Sequence, residues 1–188
     1  MEAVLISINS KWCEKILNLE KVAEIRKRKP SIKQPFKCYI YCTKPKFPHE
    51  DHIVVFSRDG QQPKAFYGGG KVIAEFICND IETLCKKNRN GTYSHKIVDR
   101  HAIEKYAAMS MKDFWSYVKT GPAYAWHISE VVVYEEPKEL SDFRKICPHN
   151  LYCESCAMYD NYSDNCGNEA LIMKKAPQSW CYVEEING

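Results

Sequence analysis

The stretch FKCYIYCT, residues 36–43, alternates without a break: Phe36, Cys38, Ile40 and Cys42 fall on one side of an extended chain, with Lys37, Tyr39 and Tyr41 on the other. A period of two admits a half-buried strand and excludes an amphipathic helix. The same texture recurs along the chain. VLISIN (4–9) reads as a short buried strand, and VAEIRKR sets Ala23 and Ile25 opposite Val22, Glu24, Arg26 and Arg28. HIVVFS (52–57), KVIAEFIC (71–78), YAWHISEVVVYEE (124–136) and SWCYVEEI (179–186) bring the set to six or seven strands, punctuated by Pro-, Gly- and Asp-rich turns. YGGGKV (67–72) lacks the spacing and Lys-Ser/Thr ending of a phosphate loop and precedes a strand, so Gly68 to Gly70 read as a turn.

Helices are fewer. Ser10 is placed to cap one whose apolar face is Trp12, Cys13, Ile16 and Leu17. Asp99 is placed to cap RHAIEKYA, and Ser110 with Asp113 makes a capping-box-like pair before FWSYVK, which Gly121 and Pro122 stop. Strands and helices in this order predict an α+β fold, a small and mostly β barrel with helices packed outside. At 188 residues, 45% of them hydrophobic, the chain is expected to form one domain. A net charge of +3 excludes an overwhelmingly cationic packaging protein but leaves room for a local basic groove. No segment approaches the ~20 apolar residues of a membrane helix, and AVLISI is too short for a signal peptide. The expectation is a cytoplasmic protein without a membrane partner.

Ten cysteines then need a reason other than disulfides. Cys13, Cys38, Cys42, Cys78 and Cys85 are scattered and read as small core residues. Cys147, Cys153, Cys156 and Cys166 are spaced C-x5-C-x2-C-x9-C in polar sequence that offers no apolar core of its own. That pattern predicts one structural zinc (Zn2+) with four thiolate ligands, with His149 and Cys181 in reserve; an iron–sulfur cluster or free thiols are the rivals.

LEKVAEIRKRKP (19–30) raises the functional question. Glu24 and Arg26 share a strand face, Lys21 sits at the preceding turn, and Lys27, Arg28, Lys29 and Lys33 extend the positive charge. Two readings fit: an electropositive cleft holding one carboxylate, suited to a phosphate backbone, or an exposed ion pair worth ~0–1 kcal/mol. Trp126 and His127 are neighbours on one strand and face opposite sides, so one of them is available to stack on a base. Tyr39 and Tyr41 share a face and are further stacking candidates.

The order of these segments resembles the ASCH domains of the PUA-like superfamily. SKWCEKILNLEKVAEIRKRKP after strand VLISIN is similar to the family's strand, helix and G-x-K-x-x-E-x-R motif, matching at Lys21, Glu24 and Arg26, with Leu19 where glycine is usual. Trp12 fits a common family position, KVIAEFICNDI and YAWHISEVVVYEEPKELSDF look like later barrel strands, and APQSWCYVEE is similar to a phage and mobile-element subgroup. The resemblance implies one PUA-like domain over 1–188, with a helical insertion at about 86–122 and the Cys-rich zinc segment at about 141–178 before the last strand, 179–186. It also implies a cleft that binds RNA, a nucleotide or a modified nucleoside through Lys21, Glu24, Arg26, Lys27, Arg28, Trp12, Trp126 and His127. Some small members resemble amidohydrolases in which a lysine assists a threonine three positions on. Here that position is Glu24, which can act as acid or base but not as a hydroxyl nucleophile. Lys21 and Glu24 are therefore the catalytic candidates of an alternative hydrolase reading, amidohydrolase-like or nuclease-like. A protein-interaction module is the third.

Overall fold

β1 (Glu2–Asn9) is apolar from Ala3 to Ile6 because both its faces are covered. In the computed structural model, which describes residues 1–57, 62–88, 93–95, 100–119, 121–148, 158–160 and 165–186, it lies between two strands distant in sequence. It runs parallel to β3 (Phe36–Thr43), with Val4 opposite Cys38, and antiparallel to β11 (Trp180–Glu184), with Leu5 opposite Cys181. Between them come α1 (Ser10–Leu17), β2 (Ala23–Arg26), β4 (His52–Val55), β5 (Lys64–Tyr67), β6 (Val72–Lys87), β7 (Tyr93–His95), α2 (Arg100–Tyr106), α3 (Met111–Val118), β8 (Ala123–Lys138), β9 (Tyr159–Asp160) and β10 (Asn165–Cys166). The main sheet runs β11-β1-β3-β6-β8-β2, with β7 added to β6; β4–β5 and β9–β10 are separate hairpins. The fold is mixed α+β and mostly sheet. Among the described residues no helix is long and apolar enough to cross a membrane.

The sheet is strongly curled. Trp126 on β8 and Trp180 on β11 are four strand spacings apart in the order, about 19 Å on a flat sheet, yet their ring centroids are 5.7 Å apart. The concave side holds Val4, Ile6, Ile8, Cys38, Ile40, Cys42, Phe76 and Trp126, closed at one end by Cys13, Ile16 and Leu17 of α1. Ala3, Leu5, Tyr39, Tyr41 and Val183 point the other way and are covered by Phe143 and Met173 from the segment after β8. A third cluster sets Ala23, Ile25, Ala123 and Ala125 against Ile103, Phe114 and Val118 of α2 and α3. The five scattered cysteines are buried as expected, and burial pushes the Cys78 thiol up to about 12. Among the described residues no strand ladder joins the end strands β2 and β11, so the pairing describes a curled sheet rather than a closed barrel.

Several local expectations change. β6 and β8 are 16 residues each, far longer than KVIAEFIC and longer than 124–136. Their ladder shifts register four times, and past Cys78 the turn-like Asn79 and Asp80 occupy one of these bulges, which hides the strand from any period-two reading. The cap of α1 is Asn9, whose side chain accepts from the Lys11 amide, while the Ser10 hydroxyl donates to Glu50 O. Ser110 does cap α3, accepting from Asp113 N at 3.1 Å, and α3 stops at Val118, ahead of Gly121 and Pro122. Asp99 lies outside the described residues. Gly68 to Gly70 form the turn between β5 and β6, with Gly70 at φ +88.

The departure at Leu19 has a backbone consequence. Glu20 N donates to Lys15 O and Leu19 N to Ile16 O, the paired bonds of a Schellman motif, and Leu19 occupies its left-handed position at φ 56. A leucine there carries Cβ strain that glycine does not. Leu19 is 38% exposed, so little packing is lost on truncation. Leu19→Gly is expected to raise stability by about 1 kcal/mol, read as a higher urea midpoint at unchanged slope; a lower midpoint would show that the leucine side chain matters more than its backbone.

Candidate ligand cleft

The turn after α1 delivers Lys21, and β2 then alternates as expected: Ala23 and Ile25 enter the helix-facing cluster, Glu24 and Arg26 the opposite side. What alternation did not reveal is depth. Lys21 is 1% exposed and Glu24 and Arg26 are each 7% exposed, so the solvated-pair reading does not describe them. Glu24 stands between two cations, Oε2 being 3.2 Å from Lys21 Nζ and Oε1 3.0 Å from Arg26 Nε. The second contact is ionic, without hydrogen-bond alignment at Nε. Arg26 instead donates from Nη2 to Ser7 O at 2.7 Å and from Nη1 to Ser179 Oγ at 3.4 Å. It thereby ties the last strand of the sheet, β2, to β1 and to the approach of β11.

Lys21 donates from Nζ to Ala107 O at 2.8 Å and lies 5.1 Å from the Trp12 ring centroid. Burial pushes its ammonium pKa down, and the neighbouring Glu24 opposes that shift. Two cations and one carboxylate leave one buried positive charge in excess, and no fixed anion of the chain balances it among the described ion pairs.

Above this triad opens a cleft of about 160 Å³. Its floor is Glu24 and Arg26 with Ser7 and Asn9 of β1, and its walls are Trp12 of α1, Met109 between α2 and α3, and Tyr117 of α3. Lys21 is not part of the lining; it sits behind Glu24 and links it to the end of α2, where Val22 N also donates to Tyr106 O. Tyr117 feels the triad: burial pushes its phenol pKa up and Arg26 pulls it back. The Ser7 hydroxyl donates to Pro177 O at 2.6 Å and is committed there.

The remaining candidates divide. Lys27 and Arg28 are exposed; Lys27 lies beside the cleft with its Nζ 5.0 Å from the Tyr117 ring centroid, and Arg28 turns away from it to Trp180. Trp126 lies directly opposite Glu24 in the β2–β8 ladder and faces the same side, but it is fully buried against Phe36 and Trp180 and does not line the cleft. His127 pairs with Ala23 and faces away from the cleft. Tyr39 and Tyr41 are buried under Phe143 and cannot stack on a base. Asn9, Met109 and Tyr117 were not singled out by the sequence. The phase of YVK in a helix carries no sign that its tyrosine meets a strand ninety residues earlier.

Of the proposed zinc ligands, Cys153 and Cys156 lie outside the described residues, as does His149. Cys147 and Cys166 are described, and Cys181 packs in the outer-face cluster. Among the described residues no group of three or more His, Cys, Asp or Glu side chains could hold a metal ion.

This architecture, a curled mixed sheet with helices packed against it, has the fold of ASCH domains. The chain is similar to the crystal structure of ASCH from Zymomonas mobilis, with a TM-score of 0.50 and 15% sequence identity over 97% of this chain and 88% of that one. Two mutants of the same Zymomonas mobilis protein, ZmASCH, align with TM-scores of 0.47. They are 16% and 18% identical, over 73% of this chain and 76% and 74% of theirs. No family model and no curated protein matches the sequence.

Proposed function

We propose that the chain is a nucleic-acid-binding module of ASCH fold that takes RNA or a nucleotide in the cleft above Glu24 and Arg26. The excess buried positive charge of the Lys21–Glu24–Arg26 triad carries this reading, because an anionic ligand group would balance it. Trp12 and Tyr117 add stacking faces on either wall, and the volume suits one base or sugar-phosphate unit rather than a folded partner. Lys21 acts as a positioning group for Glu24, not as a phosphate ligand. Filter binding of unrelated RNA sequences tests this. Arg26→Ala is expected to weaken all of them alike, by about tenfold, and to flatten the salt dependence. Trp12→Ala should weaken binding with the salt dependence kept. Unchanged affinity in both variants would remove the cleft from the binding surface.

One observation favours a second reading as a hydrolase of a modified nucleoside or nucleic acid: Glu24 presents a carboxylate to the cleft, suited to acid or base work. Chromatography of RNA incubated with the protein and with Glu24→Gln separates the two, since only the hydrolase generates product that the variant abolishes.

We further propose a structural zinc on Cys147, Cys153, Cys156 and Cys166, within a single domain that works in the cytoplasm. Arg144 Nη2 donates to Cys166 O at 2.7 Å, three residues before Cys147, and Cys166 stands opposite Tyr159, three residues after Cys156. Three residues reach at most about 11 Å, so Cys147 starts near Cys166, and the C-x5-C-x2-C-x9-C spacing supports the other two ligands. Elemental analysis should find one zinc per chain in a colourless protein; a brown solution would mean iron–sulfur.

A further inference from the structure

Lys27, Arg28 and Lys29 follow one another in the chain, all three exposed, yet each rests on an aromatic ring from a different element. Lys27 Nζ is 5.0 Å from the ring centroid of Tyr117 on α3, Arg28 Cζ 5.7 Å from Trp180 on β11, and Lys29 Nζ 5.7 Å from Tyr124 on β8. No carboxylate pairs with any of the three among the described ion pairs, and the sequence carries no Asp or Glu between Glu24 and Glu50. An exposed cation on a ring gains roughly two- to fivefold in an equilibrium. That places the charged head without holding it against a phosphate.

Only one of these pairs, Lys27 with Tyr117, belongs to the cleft; the other two lead away from it. Arg26 bonds Ser179, and the next ring on is Trp180 beneath Arg28, so the line of cations follows the seam between β2 and β11. Tyr124 stands opposite Arg26 in the β2–β8 ladder and sets Lys29 on the other side of the same seam. A cation beside a partly exposed ring, three times in succession along the chain, offers a phosphate contact and a stacking face per nucleotide. A duplex hides its base faces, and a free nucleotide engages only one such pair.

We infer that Lys27, Arg28 and Lys29, with Tyr117, Trp180 and Tyr124, form a track that carries a single-stranded nucleic acid out of the cleft, so that the ligand is a polynucleotide rather than a free nucleotide or a duplex. The inference rests on the cleft reading. Its test compares a nucleoside monophosphate, single-stranded RNAs of about two, four and eight nucleotides, and an RNA duplex of similar length. Affinity is expected to climb with length through about four nucleotides and to favour single strand over duplex by about tenfold or more. An Arg28→Ala, Lys29→Ala variant should lose that gain and lower the slope of log affinity against log salt by about 1.4, while binding of the monophosphate stays as in the wild type. Tyr124→Leu should weaken the longer strands about fivefold or more with the salt slope unchanged. Equal affinity for monophosphate and longer strands, preference for the duplex, or equal competition by polyglutamate would each overturn the track and leave the cleft standing. Failure of every nucleotide and nucleic acid to bind would overturn both.

Discussion

Glu24→Gln is expected to lower the unfolding free energy by about 3–5 kcal/mol, because the amide leaves Lys21 and Arg26 buried with no carboxylate between them. Lys21→Met should cost much less, since it removes the surplus charge and leaves Glu24 and Arg26 as a balanced pair. Phosphate or RNA should narrow the Glu24→Gln deficit more than it stabilises the wild type, because an anion then replaces the missing charge. Urea unfolding with and without phosphate reads all three effects, and a Glu24→Gln midpoint equal to that of the wild type would show that the triad is solvated in solution. pH supplies an internal control. Burial lowers the Lys21 pKa from its ordinary 10.5, so the folded state disfavours the ammonium. That penalty is fully present at neutral pH and is relieved as pH rises from the lowered value toward 10.5. Lys21→Met abolishes the relief, so the stability gap between wild type and variant should shift in favour of the wild type in this window.

Phe143→Ala should cost about 3–5 kcal/mol and lower the midpoint of a single cooperative transition. Phe143 is fully buried and meets Tyr39 edge to face at 4.9 Å, while Met173 N donates to its carbonyl at 2.8 Å. These contacts, with the bridges from Arg144 to Ile172 and from Lys145 to Val183, fasten the stretch after β8 onto the outer face of β1 and β3. A separate early transition, with the sheet unmoved, would mean instead that this stretch is an appendage that can detach.

Sequence periodicity made β2 and β3 legible because each has one face per environment, and it correctly divided Ala23 and Ile25 from Glu24 and Arg26. It could not report burial. A charged residue on the inner face of a strand looks the same as one in water, and only the curl of the sheet distinguishes them. The bulges of β6 defeated the period beyond Cys78. The walls of the cleft were illegible for another reason: Met109 and Tyr117 reach Glu24 through tertiary packing of α2 and α3, held by the Lys21 bond to Ala107, and no local pattern encodes that contact. Alternation put Trp126 and His127 on opposite faces without saying which, and neither lines the cleft, because a strand of alternating residues gives a side and no depth.

The position of β1 bears on how such a chain is made. Its parallel partner is available once residue 43 has emerged from the ribosome, whereas its antiparallel partner begins only at Trp180. Throughout most of synthesis, Ala3, Val4, Leu5 and Ile6 therefore present an unpaired and strongly apolar strand edge. Pairings so distant in sequence form late and slowly. Nascent or truncated chains ending before β11 should depend on chaperones, and their characteristic failure should be capture of β1 by a strand from another molecule.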